Sequence, residues 1–226
     1  MYPTLINTLQ LDGTEVRIWH YDLSIPSNAA LLSPDEHARA ARLIIPDKRR
    51  RFIAARVGLR LLLGGVTNRP PEALVFGYGA DGKPYLMDAP WCEFNLAHSA
   101  DFALVAVAGR AVGVDIEQFR ALPSWSEMAQ IAFSAQEQAA LHALPVEQRV
   151  SAFFRTWTRK EALMKAQGGG FKLAKTFSLP VNDTAEIIRL DGWSIYDLTL
   201  PDNMIAAIAL KTGDAPLGNI DSDKSL

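Results

Sequence analysis

Hydrophobic and polar positions along this chain alternate between two regimes. Residues 15–23 (EVRIWHYDL) are aromatic and β-branched and predict a first strand, closed by a Ser-Ile-Pro-Ser turn. Ser33 as N-cap and Pro34 at the first helical position predict a helix from there to about Leu43. Pro46 interrupts it, and Asp47 caps a second helix over 48–63, ended by Gly64-Gly65, with Pro70-Pro71 as the next break. Short strands follow at 74–78, 93–97, 102–108 and 112–117, with a turn over 79–82.

Beyond Gly109-Arg110 the period becomes helical over 124–131, 135–143 and 147–166. After Gly168-Gly169-Gly170 it returns to strands at 176–181, 186–190, 193–198 and 204–210. FALVAVA at 102–108 and MIAAIAL at 204–210 hold matching places in the two halves. Helices then strands, twice over, predict an α+β fold of two similar halves. An N-terminal lobe over 1–110 and a C-terminal lobe over 111–212 are expected, with a disordered Gly-, Asp- and Ser-rich tail over 213–226.

Composition narrows the class. The 226 residues are 49% hydrophobic and 21% charged, with a formal net charge of −2, which argues against a general nucleic-acid binder. The one cysteine, Cys92, excludes an intrachain disulfide and fits a reducing compartment. The first ten residues lack the basic and apolar regions of a signal peptide. No apolar run approaches the roughly 18–20 residues a bilayer span needs. A cytoplasmic protein without membrane contact is expected.

Five clusters carry chemistry. Asp115 and Glu117, at i and i+2 of a strand, share one face while Val114 and Ile116 point to the core. Two such carboxylates suit a hard divalent cation; two solvated acids at a strand end are the plainer alternative. Phe153, Trp157, Glu161 and Lys165 are spaced by four, a helical stripe that begins aromatic and ends in a charged pair. It suits a helix buried at one end and lining a cleft at the other, or carries only a routine Glu-Lys pair. Gly168-Gly169-Gly170-Phe171 is a helix C-cap that also lets backbone approach a ligand. His98 and Ser99 end a strand at a polar turn, as phosphate donors or as structural residues. The arginines 39, 42, 49, 50, 51, 56 and 60 form a basic helix, a solvated face from which a few could clamp phosphate.

Together these residues resemble a known signature. Val-Gly-Val-Asp-Ile-Glu at 112–117 is followed by Trp-Thr-x-Lys-Glu-Ala-x-x-Lys-Ala-x-Gly-x-Gly-Phe at 157–171, with Asp115 and Trp157 42 positions apart. Both blocks and their separation resemble the 4′-phosphopantetheinyl transferase family. Gly82-Lys83-Pro84, Phe94-Asn95-Leu96-Ala97-His98-Ser99 and the helix from Arg51 resemble further elements of it, in the same order. The length and double α+β layout are similar to the two-lobed, monomeric type that activates peptide and polyketide synthases.

The resemblance implies transfer of the phosphopantetheine arm of coenzyme A to a serine of an apo acyl or peptidyl carrier protein, with release of 3′,5′-ADP. It implies Mg²⁺, with Mn²⁺ as an alternative, held by Asp115, Glu117 and Glu161. Glu161 is the implied base, acting directly or through a metal-bound water, Lys165 the implied phosphate partner and Lys160 an assistant. The nucleotide end is expected against Lys83 and Pro84, with His98, Ser99 and Arg51 on phosphates and Arg39 as a further candidate. Glu36 stands where the family has a basic residue. The implied site is a cleft between the halves. Residues 119–131, with Phe119, Leu122, Trp125, Met128 and Ile131, resemble the segment on which the carrier docks, or form an ordinary amphipathic helix. A Mg²⁺-dependent hydrolase of nucleotides or coenzyme A, and a non-catalytic coenzyme A- or carrier-binding module, are the alternatives.

Overall fold

The chain opens on a hairpin that the sequence reading did not anticipate. In a computed structural model describing residues 3–181, 187–201 and 203–213, strand β1 (Thr4–Leu11) pairs antiparallel with β2 (Thr14–Asp22). Asp12 and Gly13 join them with φ of 48° and 73°, the left-handed pair that the tightest hairpin turns demand. Most side chains of β1 are exposed, so no alternation marks it; the Asp-Gly dipeptide was its one legible signal.

Helix α1 (Pro34–Ala41) starts where expected, but α2 (Pro46–Thr67) runs through Gly64 and Gly65. Its stop is Asn68, left-handed at φ 56°, whose N–H returns to the last carbonyls. The short strands β3 (Phe76–Tyr78) and β4 (Pro84–Leu86) form a separate hairpin, the second of them unanticipated. Then come β5 (Glu93–Ser99), β6 (Phe102–Ala108) and β7 (Val112–Gln118). Helices α3 (Trp125–Ala132), α4 (Ala135–Ala143) and α5 (Val146–Gln167) follow. The chain finishes in β8 (Ile188–Leu190), β9 (Trp193–Thr199) and β10 (Met204–Lys211). The expected strand at 176–181 is not formed. The start of the one expected at 186, and the expected tail beyond 213, lie outside the described residues. No described helix is long and apolar enough to cross a membrane.

Two compact units result: residues up to Gly77 with Pro84–Arg110, and Tyr78–Lys83 with the described residues from Ala111 on. Each has a four-stranded antiparallel sheet, ordered β1-β2-β6-β5 in the first and β7-β10-β9-β8 in the second. The repeat expected from FALVAVA and MIAAIAL is therefore present. An opening strand (β2 or β7) leads into helices, and a hairpin returns so that its last strand (β6 or β10) lies in the middle of the sheet. In the first unit, Ala54, Leu59, Leu62 and Leu63 of α2 pack on Trp19, Tyr21, Phe94, Val105 and Val107. In the second, Ala162, Leu163 and Ala166 of α5 pack on Ile195, Ala207 and Ala209, while Phe153 and Phe154 reach Ala129, Phe133 and Leu141.

Each unit also hides an acid. Ser33 and Glu36 form a capping box at the start of α1, and Ser134 and Glu137 form one at the start of α4. Both glutamates are buried, and each receives cations from the unit's long helix. Arg56 Nε and Arg60 Nε donate to Glu36 at 2.6 and 2.7 Å. Lys160 Nζ donates to both oxygens of Glu137 at 2.9 and 3.0 Å. The second pair explains the missing strand at 176–181. Leu179 N–H donates to Glu137 and the Phe177 carbonyl accepts from Lys160, so the segment's polar groups are spent on side chains.

Removing one member of a buried charge cluster strands the others, at a cost of about 3–5 kcal/mol. Glu36→Ala should destabilise the protein by that order in urea unfolding. The acid limb of stability tests the same cluster. Burial alone would raise the Glu36 carboxyl, but Arg56, with hydrogen bonds from Ser33, Arg60 and Arg56, holds it below its ordinary value. A depressed carboxyl contributes stability above its unfolded pKa, near 4.3, and loses it as pH falls through the folded value. Urea midpoints measured from pH 7 down to pH 3 should therefore fall less steeply in Glu36→Gln than in the parent.

Candidate functional site

Strand β7 and helix α5 are in backbone contact, and a glycine permits it. A β-carbon on Gly113 would lie 2.1 Å from the Ala162 carbonyl oxygen and 2.3 Å from the Ala166 nitrogen. Alternation puts Asp115 and Glu117 on the same face as Gly113, the face that α5 covers. On α5, Glu161 and Lys165 lie one turn apart on the stripe that starts at Phe153 and Trp157. Phe153 is stacked on Phe133, meets Phe154 edge to face and packs at a tilt against Trp125 and Trp157. The aromatic end of the stripe is thus core.

The charged end meets β7. Asp115 is only 5% exposed, and its Oδ1 accepts from Lys165 Nζ at 2.5 Å. Burial pushes the Asp115 carboxyl up to about 7; Lys165 pulls it down, while Glu161 and Glu117 push it further up. Glu161 is likewise raised by burial, with Lys165 opposing and Glu117 adding. Three carboxylates and one ammonium therefore feel one another. Asp115 Oδ2 is buried and has no hydrogen-bond partner. Among the described residues no group of three or more acidic, His or Cys side chains is gathered closely enough to hold a metal ion as it stands. The donor set itself, oxygen only, negative in excess and with one orphaned acceptor, fits a hard divalent cation.

Helix α5 ends cleanly. Gly168 is left-handed at φ 66°; its N–H donates to the Lys165 carbonyl and that of Gly169 to Met164, both at 3.3 Å. Lys160, one residue before Glu161, faces elsewhere. It is buried against Glu137, the Phe177 carbonyl and the Phe177 ring, and burial holds its ammonium below the ordinary range with Glu137 opposing. Lys83, in the second unit, donates to the carbonyls of Val112 and Ala166 at 3.1 Å each. Pro84 begins β4.

The remaining candidates lie in the first unit. His98 is exposed and Ser99 buried at the end of β5, and the next turn carries Asp101. Arg51 Nε donates to Asp101 Oδ1 at 2.8 Å, and Arg50 reaches the same oxygen at 3.1 Å. That places Arg51 beside the turn that His98 and Ser99 lead into, and the hydrogen bond from Arg51 holds the Asp101 carboxyl below its ordinary value. Arg39 lies over the Phe52 ring. Glu36, bound by two arginines, is a scaffold residue with no free charge to turn on a ligand. In residues 119–131, Leu122, Trp125 and Met128 pack inward, whereas Phe119 and Ile131 are 40% and 63% exposed. Asp101 and Glu137 went unread in the sequence. For Glu137 the Ser-x-x-Glu spacing was a sufficient signal; for Asp101 there was none.

Residues 111–205 match the sequence model of the 4′-phosphopantetheinyl transferase superfamily. The 4′-phosphopantetheinyl transferase HetI of Nostoc sp. is 38% identical over 214 residues, 89% of this chain and 90% of its own. A 4′-phosphopantetheinyl transferase of Bacillus subtilis is 30% identical over 183 residues, 76% of this chain and 77% of its own. The 4′-phosphopantetheinyl transferase AcpT of Salmonella typhimurium is 40% identical over 111 residues, 49% of this chain and 56% of its own.

The close approach at Gly113 is testable. In Gly113→Ala the new methyl meets backbone, which cannot rotate away, so β7 and α5 must separate. Overpacking of this kind costs about 1–3 kcal/mol. Urea unfolding should show that loss, and a variant as stable as the parent would contradict the contact.

Proposed function

Because this chain belongs to the 4′-phosphopantetheinyl transferase superfamily, we propose that it moves the phosphopantetheine arm of coenzyme A onto a serine of an apo acyl or peptidyl carrier protein and releases 3′,5′-ADP. The observation that carries the reading is Asp115: buried, bound to Lys165 through one oxygen, orphaned at the other, and beside two further carboxylates. Asp115, Glu117 and Glu161 would hold a divalent cation, Mg²⁺ or Mn²⁺. When bound there it supplies positive charge to the pyrophosphate of coenzyme A.

The chain's own groups do the rest. Lys165 offers its ammonium to phosphate oxygens, neutralising charge that grows in the transition state. Glu161, made a stronger base by the burial that raises its pKa, takes the proton from the serine hydroxyl. The serine oxygen forms its bond to the β-phosphorus as the bridging P–O bond breaks, and that electron pair leaves with 3′,5′-ADP. In the first unit, Arg51, His98 and Ser99 are proposed to bind phosphates of the nucleotide. The nucleotide end lies against Lys83 and Pro84, with Arg39 as a further contact. Lys160 assists by fixing the neighbouring turn of α5 to Glu137. Phe119 and Ile131, the exposed members of residues 119–131, are proposed to receive the carrier.

The test is intact mass spectrometry of fatty-acid, polyketide and peptide carriers incubated with coenzyme A, Mg²⁺ and enzyme. One phosphopantetheine should be added. EDTA should abolish the gain, and Mg²⁺ or Mn²⁺ should restore it. Glu161→Ala should slow it by about 10²–10⁴-fold, the range of a lost proton-transfer group. Release of 3′,5′-ADP with no carrier labelled would identify a hydrolase instead. Bound coenzyme A without either product would identify a binding module.

A further inference from the structure

Lys83 has a use beyond the nucleotide contact expected of it. It closes the five-residue loop between β3 and β4, where Gly79 N–H donates to the Lys83 carbonyl at 2.9 Å and Gly82 N–H donates to the Gly79 carbonyl at 2.9 Å. Gly82, at φ 85°, provides the left-handed step that brings Lys83 back toward β4. From this short loop the side chain runs past Gly168, where an added β-carbon would lie 3.6 Å from Lys83 Cδ. Its ammonium then donates to two backbone carbonyls on different elements, Val112 at the start of β7 and Ala166 in the last turn of α5. The loop is pinned a second time by Asp81, both of whose oxygens accept from Lys172 Nζ at 2.8 Å.

The last four carbonyls of a helix have no partner within it. In α5 the cap at Gly168 and Gly169 takes those of Lys165 and Met164, and Lys83 takes that of Ala166. A cation is also favoured at a helix C-terminus by the peptide dipoles. The same ammonium holds Val112, next to Gly113, where β7 touches α5 with no side chain between. Val112 lies three residues before Asp115; Ala166 directly follows Lys165.

We propose that Lys83 is a positioning residue: by bridging the Val112 and Ala166 carbonyls it fixes the register of β7 on α5, and with it the placement of Asp115 against Glu161 and Lys165. The nucleotide then meets the backbone and stem of this loop, while the ammonium serves the protein. The inference rests on the transferase reading for its kinetic consequence and on geometry alone for the clamp.

Two variants of the full chain test it. Lys83→Met keeps an apolar stem and removes the donors; Lys83→Arg keeps several donors on a side chain of comparable reach. In Lys83→Met, hydrogen exchange should quicken at the amides of Gly168 and Gly169 and along β7. With carrier saturating, kcat should fall about 10- to 100-fold, the scale of a small misplacement of reacting groups, and KM for coenzyme A should stay within a few-fold. Lys83→Arg should recover most of both. A raised KM for coenzyme A with kcat intact and exchange unchanged would overturn the inference, because the ammonium would then serve the substrate. Faster exchange with kcat unchanged would overturn it too, leaving a clamp without catalytic consequence. If the parent labels no carrier, the transferase reading fails and the kinetic claim with it, while exchange in the same variants still decides the clamp.

Discussion

Strand β7 can lie on α5 only because position 113 has no β-carbon, and the chemistry of the second unit follows from that contact. The close approach carries Asp115 under the helix, where a carboxylate loses most of its water. Such a group tends to neutralise itself unless a cation is supplied. Lys165 supplies one, but Glu117 and Glu161 work against it, and the balance leaves the carboxyl near neutrality with one oxygen unsatisfied. A larger residue at 113 would open the sandwich, hydrate Asp115 and relax that tension. In the proposed function, that tension is what a divalent ion held by the three acids would relieve.

The second recurring constraint is the buried glutamate of each unit. Both glutamates begin as local features, the third helical residue of a capping box, and both end as long-range ties to the unit's 22-residue helix. The first unit answers its acid with two arginines, the second with one lysine and a backbone N–H. The second arrangement leaves Lys160 out of reach of anything but its own core, although it directly precedes Glu161. Adjacent residues on a helix point about 100° apart, so a motif written in one line divides its side chains between scaffold and site.

Much of this was legible in the sequence, and the gaps have physical causes. The helices at 124–131, 135–143 and 147–166 were read nearly to the residue, because caps and periodicity are local signals. The matching of 102–108 with 204–210 held because both are central strands, apolar on each face and distinctive for it. β1 was missed because an exposed strand has no alternation. The strand expected at 176–181 failed because Glu137 and Lys160, far away in sequence, claim its backbone. Gly64 and Gly65 lie inside α2 because its stop is Asn68, a residue that takes the left-handed conformation less readily than Gly and so gives a weaker signal than the Gly pair before it. In the site, the stripe from Phe153 to Lys165 and the shared face of Asp115 and Glu117 follow from periodicity alone. That Lys83 would spend its ammonium on backbone carbonyls does not, since nothing local reports a contact 83 residues away.

The order of strands bears on how such a protein is made. In both sheets the central strand comes last: β6 enters between β2 and β5, and β10 between β7 and β9. On the ribosome, each half therefore emerges with two open strand edges facing a gap that only its final segment can fill. Until Met204–Lys211 has cleared the exit tunnel, β7 and β9 offer unpaired N–H and C=O groups to any passing chain. The segment's small side chains, Ala206, Ala207 and Ala209, suit it to slide into a slot already lined on one side by α5. The second sheet is thereby complete only once β10 has emerged, so a nascent chain stopped short of it would hold both signature blocks and still lack the strand that joins β7 to β9.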